Sequence, residues 1–175
     1  TLFRSREGRM TDIVELAREL RDAYRRYGER AVAPGATEAD VARIKEAFAD
    51  LRFPLPDALI DVYRVTMGIP GLLNTGSLLV TPFDCCDDDV LRWLNRLDVA
   101  NDDAYRTHVL HLGFDNEADL LIDRDGQCGT ELDFPETGYA LRLADPTDFP
   151  TGFSHFVRVH LAEIEDEFET STDGD

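Results

Sequence analysis

The sequence predicts an α+β domain: helices first, then a mostly antiparallel sheet of short strands, then a closing amphipathic helix. Three observations carry this. Apolar residues fall at helical spacing in three runs before Gly68, the first two of them capped. After Gly68 the chain breaks into strand-length apolar runs separated by Gly, Pro and an Asp-Gly pair. Near the end, Phe153, Phe156, Val157, His160, Leu161, Ile164 and Phe168 form one stripe at helical spacing.

Asp12 is placed to cap the first helix, with Glu15 three residues on for a capping-box-like pair. Ile13, Leu16, Ala17, Leu20, Tyr24 and Tyr27 make its inner stripe, and Gly28 ends it. Residues 31–36, with Pro34 and Gly35, read as a loop. Thr37 caps a second helix with Val41, Ile44 and Phe48 inward. A proline in the first turn of a helix forfeits no hydrogen bond, so a third helix is expected from about Pro56 to Met67. Leu59, Val62, Tyr63 and Thr66 face inward there, and Gly68 is its expected terminator.

Residues 69–76 read as a loop, and Leu78 to Thr81 as a short strand closed by Pro82. Asp87 to Asp89 suit the positive end of a short helix that buries Val90, Leu91, Trp93, Leu94 and Leu97. A polar stretch, Asp98 to Arg106, precedes strands at His108 to Phe114, Ala118 to Asp123 and Tyr139 to Leu143. Asp125-Gly126 is a hairpin signal, because that pair readily adopts the positive φ angles of a tight turn. The organisation expected is a polar upstream or tag segment at 1–10, one domain at 11–168, and a flexible acidic tail at 169–175. The opening residues lack the apolar core of a signal peptide, and Met10 reads as the start.

Charge is the compositional outlier. Thirty-six acidic residues against 18 basic ones give a formal net charge of −18. Such a field repels nucleic acid and anionic membrane and speeds encounter with cationic proteins; an acidic proteome of salt-adapted type yields the same composition. No apolar run approaches the roughly 18 residues that span a bilayer. Cys85 and Cys86 are adjacent, which strains a bond between them and leaves Cys128 without a partner. That pattern points to a reducing cytoplasm.

The chemistry-bearing motifs are weak one by one. Asp84, Asp87, Asp88 and Asp89 form the densest carboxylate cluster. It reads as a solvated helix-opening face, as a patch for a cationic partner, or as a metal site. Successive aspartates at a helix start diverge, so the metal reading ranks last. In LIDRDGQCGTEL, Asp123, Asp125 and Gly126 match calcium-loop positions, but Leu121 and Leu132 occupy the first and twelfth, with Glu131 one residue early. A hairpin turn is the better reading. His108 and His111 fall on opposite faces of a strand, and His155 and His160 diverge on a helix, so neither pair has zinc spacing. His160, on the apolar stripe, reads as a core histidine with its hydrogen bonds satisfied. Acidic neighbours disfavour a reactive thiolate at Cys85 or Cys86. Ser154-His155 sits in no nucleophile elbow, since Phe156 stands where that motif needs glycine. Arg18, Arg21, Arg25 and Arg26 alternate with Glu15, Glu19, Asp22 and Glu29, which reads as a face of paired charges.

The segment TEADVARIKEAFADLRFPLPDALIDVYRVTMGI, from Thr37 to Ile69, resembles the opening of the SUKH superfamily, the Smi/Knr-type group of yeast cell-wall regulators and bacterial immunity proteins. The likeness lies in a capped helix with Ile44 and Glu46, the Leu55-Pro56 pair, and a helix with Tyr63 that leads to Gly68. ADLLIDRDGQ, from Ala118 to Gln127, is similar to the family's central hairpin, and Phe153 and Phe156 stand as in its closing helix. The likeness covers Thr37 to Glu167. One departure is Met67, where the family usually has asparagine before the glycine. Methionine has no amide to bond the following loop, so that loop is expected to be arranged differently.

The resemblance implies a compact α+β fold without enzymatic activity, whose bacterial members bind and neutralise a toxin. Together with the charge it predicts an immunity protein whose partner is a cognate toxin, such as a basic nuclease, or another basic protein. The carboxylates expected to meet it are Asp84, Asp87, Asp88, Asp89, Asp102 and Asp103, then Asp115, Glu117 and Asp119 beside the sheet. No catalytic residue, metal, cofactor, nucleic acid or membrane is expected, and the sequence is silent on oligomeric state. The alternatives are a cytoplasmic scaffold or regulator of the same fold, and a metal-dependent hydrolase using the carboxylates.

Overall fold

The structure, a computed structural model, describes residues 12–27, 31–50, 53–70, 109–114, 118–133 and 142–172. Helix α1 spans Ile13–Tyr27. The Asp12 carboxylate accepts the N–H groups of Val14 at 3.0 Å and Glu15 at 3.4 Å. Glu15 does not reach back to close a capping box; it pairs with Arg18 at 3.4 Å. The reciprocal box forms instead at α2, Glu38–Asp50. There the Thr37 hydroxyl accepts the Asp40 N–H at 3.2 Å, and the Asp40 carboxylate accepts the Thr37 N–H at 3.0 Å and its O–H at 2.7 Å. The expected inner face of α2 is the observed one: Val41, Ile44 and Phe48 are buried.

Helix α3, Asp57–Val65, starts after Pro56 and stops before the expected Met67. The reason is Thr66, which turns to an extended conformation at φ −161° and ψ 136°. Its hydroxyl donates to the Ala33 carbonyl at 2.8 Å or that of Gly68 at 3.1 Å, and accepts the Gly68 N–H at 3.3 Å. The Met67 N–H reaches the Pro34 carbonyl at 2.9 Å, and the Ala33 N–H reaches that of Gly68 at 3.0 Å. The helix end is thus held by the loop at 31–36 rather than by a glycine cap. Leu59, Val62, Tyr63 and Thr66 are all buried, as their spacing predicts.

Strands β1 (Val109–Phe114), β2 (Asp119–Asp123) and β3 (Cys128–Gly129) form an antiparallel sheet in that order, with an irregularity in β1 between His111 and Gly113. The β2–β3 turn is the expected hairpin. The Asp123 carboxylate accepts the N–H groups of Asp125 at 2.9 Å and Gln127 at 2.8 Å, and Gly126 takes φ 78°. Strands β4 (Leu132–Asp133) and β5 (Arg142–Leu143) pair in a separate two-stranded ribbon. Leu120, Leu121 and Ile122 are fully buried in succession, so both faces of β2 are covered.

Helix α4, Phe149–Thr172, closes the fold. It opens ahead of its apolar stripe because the Asp148 carboxylate accepts the Thr151 N–H at 2.7 Å, and Pro150 is tolerated in a first turn. It also continues to Thr172, into the stretch expected as a tail from Glu169, since no Gly or Pro interrupts it after Gly152. Phe149, Phe153, Phe156, Val157, His160 and Ile164 are buried against α1, β2 and β3. His160 is the satisfied core histidine expected: Nε2 lies 3.3 Å from the Ala118 carbonyl and Nδ1 lies 3.1 Å from the Glu163 carboxyl. Expectations for residues 71–108, including the strand at Leu78 and the helix at Asp87, lie outside the described residues.

Candidate functional site

The acidic positions expected to meet a partner are mostly not among the described residues: Asp84, Asp87, Asp88, Asp89, Asp102, Asp103, Asp115 and Glu117 fall outside them. Asp119 is described. It opens β2, with a carboxylate oxygen 3.5 Å from His111 Nε2 on β1, and its N–H donates to the Thr130 carbonyl at 3.2 Å. Asp119 therefore serves the sheet as well as the surface.

Thr130 leads to a cleft of about 320 Å³ at the end of the sheet. Its first wall is the turn leaving β3, with Thr130 and Glu131. Its second is the segment after β5, with Asp145 and Thr147, and its third is the opening of α4, with Thr151 and His155. These walls are far apart in sequence, and backbone bonds join them. Cys128 and Thr147 exchange both N–H···O bonds, at 2.7 and 2.8 Å, and the Ala144 N–H reaches the Glu131 carbonyl at 3.1 Å. Gly152 lets α4 lie directly on Cys128: a Cβ there would stand 2.7 Å from Sγ.

The electrostatics of the cleft are one-sided. Glu131 and Asp145 are exposed, and neither forms an ion pair with a described cation. Some described carboxylates elsewhere are paired, although Glu19, Glu46 and Asp57, like these two, are not. Asp22 is beside Arg21 at 2.8 Å, and Arg64 joins Glu38 at 3.1 Å and Asp61 at 3.2 Å. Between the second and third walls in sequence, Asp148 is held below the usual carboxylate range by its hydrogen bonds with Thr151. Beneath the cleft, burial pushes the Cys128 thiol up to about 12; the Gly129 N–H opposes this, and the charges of Asp148 and Asp123 add to it. A thiol so buried stays protonated and is no nucleophile.

Among the described residues no three His, Cys, Asp or Glu side chains gather closely enough to hold a metal ion. What the cleft can do is accept hydrogen bonds from a positively charged group. Sequence reasoning missed it. Glu131 is conspicuous in the chain only as a calcium ligand out of register, and Asp145 precedes a proline like many turn residues. The sole local signal was Asp148 three residues before Thr151, a helix start that places the third wall. Among the described residues no helix is long and apolar enough to cross a membrane. No family model, no curated protein and no solved structure matches this chain.

Proposed function

We propose that this chain is an immunity protein of the SUKH type, which neutralises a toxin in the cytoplasm by covering a basic surface on it. One observation carries the reading. The chain holds 36 acidic residues against 18 basic ones, and the two carboxylates at its described cleft are left without a described counter-charge. A surplus of that size draws a cationic protein in and speeds productive encounter. A basic nuclease, whose own cleft is built to hold phosphates, is the kind of toxin such a surface covers. The capped α2, the α3 that follows Leu55-Pro56, the β2–β3 hairpin and the closing α4 stand in the order that the resemblance implies, which supports the family reading.

The test is co-expression with the product of the gene immediately upstream. That product alone should arrest growth, this chain should restore it, and the association rate of the purified pair should fall steeply as salt is raised. A neighbour that is harmless, or a rate indifferent to salt, removes the proposal. A harmless neighbour that still binds would favour a scaffold or regulator.

A further inference from the structure

We infer that the cleft between the β3 turn and the start of α4 seats one arginine side chain of the partner, an inference that rests on the partner-binding reading above. Its size limits the occupant. At about 320 Å³ it lies at the lower end of small-ligand pockets, which run from roughly 300 to 1,000 Å³, and so suits a single side chain. Its charge sets the sign: Glu131 and Asp145 repel phosphates and carboxylates, and no described cation offsets them.

The lining selects among cations. Glu131, Asp145 and His155 do not converge closely enough to hold a metal ion. A guanidinium is different, because its flat fork spreads five N–H donors and can serve two separated carboxylates at once. An ammonium, as a compact point charge, serves them less well. Thr130 and Thr151, residues with neutral hydroxyl groups, line two of the walls. The frame is pre-set by the Cys128–Thr147 backbone pair and by the Asp148 cap on Thr151, so little ordering is left to the binding step.

The experiment is a titration of the full ¹⁵N-labelled chain, followed by amide chemical shifts. N-acetyl-arginine N-methylamide is the probe, N-acetyl-citrulline N-methylamide the neutral isostere, and agmatine the free small amine. Saturable shifts are expected at Gly129, Thr130, Glu131, Thr151 and Gly152 with the arginine probe and none with citrulline. The E131Q/D145N variant, altered only at exposed side chains, should bind at least about tenfold more weakly. Equal response to citrulline, shifts scattered over carboxylates such as Glu19, Glu46 and Asp57, or unchanged binding by the variant overturns the inference. So does agmatine binding without the blocked arginine, which would mark a site for a small free cation rather than for a side chain within a polypeptide. Failure here with growth rescue intact removes the cleft and leaves the immunity reading; loss of rescue with an intact titration does the reverse.

Discussion

Gly152 on α4 and Cys128 on β3 touch so closely that a methyl group on the glycine would stand 2.7 Å from the sulfur and 3.0 Å from the Cys128 Cβ. This contact sets how near the closing helix comes to the sheet, and with it the floor of the cleft.

G152A should therefore destabilise the fold by about 1–3 kcal/mol, the usual penalty for overpacking a tight core, although alanine is the better helix former. Urea unfolding measures it. The double variant G152A/C128A removes the sulfur that the new methyl meets and should recover part of the loss. Strictly additive effects would show that the two residues do not press on each other.

The buried His160 ring ties α4 to the start of β2. The Ala118 carbonyl can only accept, so Nε2 carries a hydrogen and Nδ1 faces the Glu163 carboxyl. Replacing His160 with leucine leaves that partly buried carbonyl without its donor and takes a partner from Glu163. A loss of about 2–4 kcal/mol is expected, against about 1 kcal/mol or less for E163Q, whose amide still meets the ring. Thermal unfolding of the two variants compares them, and equal losses would count against this ranking.

How far the fold could be read from the chain depends on the range of the forces involved. The inner faces of α2 and α3, the Asp125-Gly126 turn and the stripe on α4 follow from spacing and backbone chemistry within a few residues, and all were legible. The end of α3 was not, because Thr66 is drawn out of the helix by the Ala33 carbonyl, 33 residues earlier. The full length of α4, which runs to Thr172, is not legible in its acidic composition, because charge alone does not stop a helix that lacks Gly and Pro. At the candidate site, Asp119 was legible as a surface carboxylate, but its pairing with His111 across the strands depends on register. The cleft was not legible, since its walls meet only through the Cys128–Thr147 bridge.

Acid should weaken the fold through its capping aspartates. The Asp40 carboxyl lies below its ordinary 3.8 because it accepts hydrogen bonds from the Thr37 hydroxyl and N–H, with Arg43 adding to this. Asp148 is lowered in the same way by Thr151. A carboxyl lowered in the folded state contributes stability above its unfolded pKa and loses it as pH falls through the folded value. Stability should thus decline below about pH 4, and D40N/D148N should flatten that decline while lowering stability at neutral pH. Urea midpoints between pH 2.5 and 7 decide it; an unchanged acid slope in the variant would show that the caps are not the titrating groups.

At the alkaline end Cys128 works in the opposite direction. Burial raises its thiol from 9.0 to about 12 in the folded protein, so the folded state holds the proton longer than the unfolded chain does. The stabilisation is complete below pH 9.0 and is lost as pH climbs toward 12. The same burial closes the thiol to reagents. In a C85S/C86S background, which leaves Cys128 as the single thiol, native protein at pH 8 should react with a disulfide reagent only as fast as it unfolds. Its rate should rise with urea in step with the unfolding rate. Prompt labelling without denaturant, at the speed of a free thiol, would mean that α4 does not seal the sulfur and that the floor of the cleft is open.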